Sequence, residues 1–278
     1  MKLFPYLKSF VLNPSLFLRK VLLRCINPFL RFKSPIQNKK IDGVIFTFDL
    51  RNPNMRQMYL GVYEVETVKI LKKYLKSGDI FINVGANVGY LTAIGASCVD
   101  KIGQVHSFEP VPLYFAKLKD LADRNKNFNI FVNNCAVGDK EGMAIINVGN
   151  DSNIGWNTMV PGFMNTQTIK ESIRVPVIRL DKYINDKQIE KQKISLILID
   201  VEGYEFPVLK GLESFLNKYH PTILCEIAPG AYPLMGTDLK ELYEYMIQFS
   251  YSSFNLNYKH LDIEKLTETT NVLFISTK

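Results

Sequence analysis

Asp200 and Glu202 stand two residues apart, between the apolar run Ser195 to Ile199 and Gly203. If a strand continues through them, their side chains project to one side. A carboxylate pair so placed can hold a cationic group or take a proton from a hydroxyl, and together with Glu226 it can bind a hard cation. The bland alternative is that both acids cap the following turn, with Gly203 relaxing the backbone. A third acid, Glu109, ends another apolar run 24 residues after Gly85. That is close to the offset at which an acidic side chain accepts both hydroxyls of a ribose.

These acids need a scaffold, and the stretch Asp79 to Tyr90 supplies its centre. A short apolar run ends in Gly85 and Gly89, four residues apart, and helix-forming residues begin with Leu91, Ala93 and Ile94. The pattern predicts strand, tight turn and helix, with free N–H groups of the helix start facing a ligand. A dinucleotide fingerprint would need glycines at 85, 87 and 90, where the chain has Gly85, Asn87 and Tyr90. No Gly-Lys-Ser/Thr follows, which also disfavours a P-loop. A nicotinamide oxidoreductase is disfavoured on the same spacing.

Further strands are expected at Ile41 to Leu50, Gln104 to Phe108, Asn129 to Asn133, Ser195 to Ile199, Thr222 to Ile227, Tyr251 to Leu256 and Asn271 to Thr277. Helices are expected from Val62, burying Val65, Val68, Leu71, Tyr74 and Leu75, and from Pro112, burying Phe115, Leu118, Leu121 and Ala122. A helix over Asp238 to Phe249 opens with Asp238 and Glu241 in capping-box spacing. Strands alternating with helices predict a mainly parallel, doubly wound α/β sheet, whose ligand lies at the carboxyl ends of the strands. Met143 to Val148 and Ser172 to Ile178 read as an extra strand pair. Between them the polar stretch Gly149 to Thr158, with the single tryptophan Trp156, reads as a lid or a surface loop.

With 278 residues and 47% hydrophobic composition, the chain can bury one substantial core. Residues 1–40 form a basic N-terminal extension and residues 41–278 the main domain, with 143–178 as an inserted hairpin. Of the 34 Lys and Arg residues, nine fall within the first 41 positions, where there is no Asp or Glu. The remaining 25 basic residues face 27 acidic ones, a formal charge of −2, so nucleic acid is not the expected partner. The extension, interrupted by Pro5, Pro14 and Pro28, has no run long enough to span a bilayer and no signal-peptide core. Its Phe, Leu, Lys and Arg content admits peripheral contact with an anionic membrane from a cytoplasmic protein. Cys25, Cys98, Cys135 and Cys225 show no C-x-x-C spacing and read as reduced, buried thiols, and three histidines disfavour a histidine-rich metal site.

Taken in order, Ile82-Asn83-Val84-Gly85-Ala86-Asn87-Val88-Gly89-Tyr90, Ser107-Phe108-Glu109-Pro110, Asn134-Cys135-Ala136-Val137-Gly138-Asp139, Ile199-Asp200-Val201-Glu202-Gly203-Tyr204-Glu205 and Leu224-Cys225-Glu226-Ile227 resemble the FkbM family of S-adenosylmethionine-dependent methyltransferases. The resemblance implies a Rossmann-like class I methyltransferase fold with a seven-stranded sheet. It also implies methyl transfer to a hydroxyl of a sugar, glycolipid or natural product. Carried over by position, Asn83, Gly85, Ala86, Asn87 and Gly89 hold the methionine part of the cofactor and Glu109 its ribose. Asn134, Cys135 and Ala136 flank the adenine, and Asp200 and Glu202 stand beside the sulfonium and the acceptor. Glu64 matches an acidic position of the family. The chain departs from the pattern twice, with Asn83 where the family usually has Asp and Leu198 where it usually has Lys. These departures motivate an alternative, a non-catalytic cofactor-binding or scaffold protein. Mg²⁺ held by Asp200, Glu202 and Glu226 is possible but not favoured, and the oligomeric state is not legible.

Overall fold

A computed structural model describes residues 34–150, 155–189 and 193–278. Most of the basic extension, and with it the expectation of membrane contact, therefore lies outside the described residues. No helix among the described residues is long and apolar enough to cross a membrane. The described residues divide into two compact units, 34–39 with 47–65, and 40–46 with 66–278.

The chain opens with β1 (Ile36–Ile41) and β2 (Val44–Asp49), paired as a two-stranded sheet. Asp42 and Gly43 between them take φ of 45° and 97°, the left-handed pair that a tight hairpin turn needs. A single strand over 41–50 was the expectation. β1 escaped it because its residues are polar and largely exposed, without apolar alternation. Helices α1 (Pro53–Tyr59) and α2 (Val65–Tyr74) follow. α2 starts three residues later than its periodicity predicts and buries Thr67, Ile70 and Leu71. The face turned inward is thus rotated from the expected one, which only Leu71 and the following Leu75 share.

The larger unit is built on β3 (Ile80–Val84), α3 (Tyr90–Val99), β4 (Gln104–Phe108), α4 (Pro112–Arg124) and β5 (Asn129–Asn133). Next come the short β6 (Ala136–Val137), β7 (Gly142–Gly149), β8 (Asn157–Thr158), β9 (Ile169–Ile178) and α5 (Leu180–Asp186). The chain closes with β10 (Ile194–Ile199), α6 (Glu205–Lys210), α7 (Glu213–Tyr219), β11 (Thr222–Ile227), α8 (Leu239–Gln248), β12 (Tyr251–Phe254) and β13 (Thr270–Ser276). Seven strands form the central sheet in the order β12-β13-β11-β10-β3-β4-β5. β5, β4, β3, β10 and β11 run parallel, while β13 is antiparallel to both of its neighbours. This is the expected mainly parallel, doubly wound sheet, and it gives the α/β, Rossmann-like class I methyltransferase arrangement.

β3 and β10 occupy the middle of the sheet, and every residue of both is buried. Covered on both faces, they read as unbroken apolar runs rather than alternating ones. The expected extra hairpin is β7 against β9, antiparallel from Gly142↔Val177 onward, within a four-stranded sheet completed by β6 and β8. α4 buries Tyr114, Leu118 and Leu121, so Tyr114 takes the place predicted for Phe115. The Asp238 side chain caps α8 by accepting the Glu241 N–H at 2.8 Å. The reciprocal half of a capping box is not made, because Glu241 accepts from the Thr237 hydroxyl instead.

Candidate active site

Parallel strands discharge their carboxyl ends on one edge, and the polar residues predicted there fall at the ends of β3, β4, β5, β10 and β11. β3 ends at Val84, whose carbonyl accepts the Asp200 N–H at 3.0 Å. Gly85 follows at φ 86°, where a Cβ would collide with the Asp200 carbonyl oxygen. Only glycine permits that approach of the β3 turn to the D-x-E-G turn. Gly89 stands at the N-cap of α3 with φ 88°. A Cβ there would press 2.9 Å from side-chain atoms of Leu118 and Leu121, so Gly89 lets α3 lie against α4.

The turn itself differs from expectation. Free N–H groups were predicted, yet Gly85 and Ala86 donate to the Phe108 carbonyl at 3.0 and 2.9 Å, and Gly89 to that of Ala86 at 2.9 Å. Asn87, at φ 50°, donates its N–H to Glu109 Oε2 at 2.7 Å, and Val88 to Asn87 Oδ1 at 2.7 Å. All five N–H groups from Gly85 to Gly89 are thus consumed inside the protein. A pyrophosphate cradle needs bare donors, and in this turn carbonyls, the Asn87 amide and the Glu109 carboxylate take them instead.

Glu109 is 5% exposed at the end of β4. Its carboxylate accepts from Asn87 on one oxygen and from Val111 N–H, at 2.8 Å, on the other. Burial pushes it up to about 7 against the pull of those two N–H groups. Asn134 Nδ2 donates to the carbonyls of Glu109 and Pro110 at 2.9 and 3.1 Å, tying the ends of β4 and β5. Cys135 and Ala136 are buried beyond it, and burial raises the Cys135 thiol to about 11. Cys98, Cys135 and Cys225 are free thiols, and Cys135 and Cys225 are buried as expected, whereas Cys98 is only half-buried.

Asp200, Glu202 and Glu226 come together as predicted. One oxygen from each lies within 4.8 Å of the others, and all three residues are half-buried. Glu202 holds φ 50°, outside the extended geometry assumed from the sequence, so the pair is gathered by a turn rather than by strand alternation. Burial first, and then the Asp200 charge, raise the Glu202 carboxyl. Beneath them Glu205 is wholly buried. Its Oε1 accepts the Gly203 N–H, its Oε2 has no partner, and burial pushes it up to about 8, helped by the Asp200 and Glu202 charges. A group of acids that mutually disfavour ionisation is relieved by a proton or by a cation.

Asn83 lies behind the turn, 1% exposed. Its Nδ2 donates to Thr92 Oγ1 at 3.0 Å, and that hydroxyl shares a 2.8 Å hydrogen bond with Ser107 Oγ. Asn83 Oδ1 is buried without a partner. Glu64 belongs to the smaller unit, at φ 46° immediately before α2. Sequence reasoning missed Thr92, Ser107 and Glu205. Glu205 was readable as a third acid two residues after Gly203, whereas Thr92 and Ser107 join Asn83 only through the packing of α3 on the sheet. A surface cleft of about 640 Å³ between α5 and α7 shares none of these residues.

The molecule is thus a doubly wound sheet with Asp200, Glu202 and Glu226 gathered at the carboxyl end of its central strands, beside a turn without bare N–H donors. The sequence pattern of the methyltransferase FkbM domain matches residues 83–259, and the chain belongs to that family of methyltransferases. It is 29% identical over 163 residues to the 31-O-demethyl-FK506 methyltransferase FkbM of Streptomyces tacrolimicus, a match covering 50% of this chain and 61% of that protein. It is 23% identical over 176 residues to the hexuronic acid methyltransferase AglP of Haloferax volcanii, covering 63% of this chain and 67% of the relative. Among solved structures it is similar to the methyltransferase FkbM of Methylobacillus flagellatus, at 16% identity and a TM-score of 0.44, over 79% of this chain and 60% of that one.

Proposed function

We propose that the protein transfers a methyl group from S-adenosylmethionine to a hydroxyl oxygen of a sugar, glycolipid or natural-product acceptor. The observation that carries this reading is the meeting of Asp200, Glu202 and Glu226 within 4.8 Å at the end of β10 and β11. The Gly85 turn of β3 abuts the same Asp200 backbone. The residues fit the cofactor: Glu109 stands where a ribose is read, the turn has no bare donors for phosphate, and the acids favour a cation. The relatives named for methylation of a hexuronic acid and of an O-demethyl compound support an oxygen acceptor.

Bound there, S-adenosylmethionine would supply an activated methyl group whose departure leaves a neutral thioether. The chain's own task is alignment, exclusion of water and removal of one proton. Asp200 is the proton acceptor or the group that holds the cofactor ammonium. Burial, and after it the neighbouring Asp200 charge, raise the Glu202 carboxyl, which favours its protonated form. Glu109 holds the ribose through lone pairs left after its two backbone bonds, and Asn134 keeps the adjoining loop at the adenine. Methyl transfer from labelled S-adenosylmethionine to a panel of hydroxylated acceptors, hexuronic acids included, tests the reading. Labelled product formed by the wild type and lost in Asp200→Asn supports it, and unchanged turnover in that variant removes the assignment of Asp200.

The 4.8 Å spacing motivates one second reading, in which the same three carboxylates would hold a divalent cation that would make an acceptor hydroxyl easier to deprotonate. Turnover that persists after exhaustive chelation eliminates it.

A further inference from the structure

The segment between β8 and β9 brings an aromatic ring against Gly203, the residue that follows Glu202. Phe163 is half-buried, and its Cδ1 and Cε1 lie 3.3 and 3.4 Å from where a Cβ on Gly203 would stand. Its Cε2 lies 3.5 Å from the corresponding point on Gly230. The ring therefore rests against two backbones that lack side chains, one beside Glu202 and the other four residues beyond Glu226. At Gly203 the room is strictly limited, since a Cβ there would also come within 2.5 Å of Ala231 Cβ.

The segment that carries Phe163 is anchored. Thr158 and Val160 are fully buried and Met164 is 2% exposed. The Phe163 N–H donates to the Val160 carbonyl at 3.3 Å, and the Val160 N–H to Thr158 Oγ1 at 3.0 Å. Thr158 pairs with Asn147 on β7, so the inserted hairpin itself fixes the turn. A ring that served only to fill the core would be covered as its neighbours are. Phe163 stays partly open against Gly203 and Gly230.

We propose that Phe163 is the platform on which a hydroxylated six-membered ring such as a pyranose stacks, so that one ring hydroxyl reaches Asp200 and Glu202. The proposal rests on the sugar-directed reading above. A pyranose divides its surface into an apolar C–H face and a rim of hydroxyls. An aromatic face, negative at its centre, attracts the first, and a group of carboxylates accepts from the second. Phe163 against Gly203, the residue after Glu202, and the group of Asp200, Glu202 and Glu226 offer the two together. An acyclic polyol carries the same hydroxyls without a C–H face and gains nothing from the ring.

The test uses the full chain saturated with S-adenosylhomocysteine and titrated with methyl β-glucopyranoside or with glucitol, followed by saturation-transfer NMR and ligand-shift titration. The wild type is expected to bind the pyranoside more tightly than glucitol, with saturation strongest on its axial C–H hydrogens. Phe163→Ala and Phe163→Leu should weaken pyranoside binding by about tenfold, the value of one aromatic stacking contact. Phe163→Trp should retain it, and S-adenosylhomocysteine affinity should be equal in all four proteins. The leucine variant fills the space without a π face, so its failure separates stacking from packing. Equal binding by Phe163→Leu and wild type, equal binding of glucitol and pyranoside, or no pyranoside binding by a cofactor-loaded wild type would each overturn the platform and leave the cofactor reading intact. Failure of S-adenosylhomocysteine itself to bind would overturn both.

Discussion

Asn83 on β3 and Leu198 on β10 are register partners in the central sheet. The two positions at which the chain departs from its family's pattern are therefore side by side. Both are buried, at 1% and 2% exposure, and partnered residues of neighbouring strands project to the same face. An Asp and a Lys at these positions would be a buried ion pair, and Asn with Leu replaces both charges together. No lone charge is left behind, and the Asn83 amide is turned to Thr92 instead. We propose that the two departures act as one coupled change.

Asn83→Asp alone should then destabilise the fold by about 3 kcal/mol, as an unpaired buried carboxylate does. Adding Leu198→Lys should recover at least half of that loss. Urea unfolding of the two single variants and the double variant gives the coupling energy. Additive effects would show that the two positions do not act as a pair.

The Gly85 turn makes a steric prediction. Gly85→Ala meets both a φ of 86° and the Asp200 carbonyl, whereas Gly162→Ala meets a φ of 75° with nothing within 4 Å. The second variant should lose about 1 kcal/mol from backbone strain alone. The first should lose at least about twice that and also lose cofactor binding, because the β3 and β10 turns must separate. Thermal unfolding and calorimetry on the pair of variants check this, with Gly162→Ala keeping normal affinity.

The buried acids set a pH dependence. Glu109 and Glu205 are raised from 4.5 to about 7 and about 8, so between those limits the folded chain holds more protons than the unfolded one. Their contribution to stability is full below about pH 4.5 and is lost as pH rises through 7 and 8. Chemical denaturation of the ligand-free protein should show lower stability at pH 8.5 than at pH 6. Glu205→Gln, which mimics the protonated acid, should flatten part of that slope. Glu202 is also raised, so negative charge develops at the site over the same range. The affinity for S-adenosylmethionine relative to its neutral-sulfur product should rise from pH 6 to pH 8.5, by about tenfold for one unit of differential interaction.

Much of this architecture was legible because it depends on local pattern. The apolar runs of β3 and β10, the glycines of the first turn and the strand-end acids Glu109, Asp200 and Glu226 all stand where their spacing put them. What failed depended on contacts between distant segments. The N–H groups of Gly85 to Gly89 look free in one dimension, yet two of them find Phe108 and one finds Glu109 on the next strand. Asp200 and Glu202 do share a face, but through the positive φ of Glu202 rather than through strand alternation. β1 was missed because a polar hairpin arm carries no hydrophobic period, and the approach of Phe163 to Gly203 is a tertiary event with no sequence signal of its own.

We propose binding of S-adenosylmethionine at this acidic edge of the sheet. Its most direct test is calorimetric titration of the wild type and Glu109→Ala with S-adenosylmethionine, S-adenosylhomocysteine and a nicotinamide dinucleotide. One-site binding of the first two to the wild type, weakened at least about a hundredfold in Glu109→Ala by loss of a buried charged hydrogen-bonding partner, and no binding of the dinucleotide is the predicted result. Binding of the dinucleotide, or no binding of either sulfur compound to a folded wild type, would contradict it.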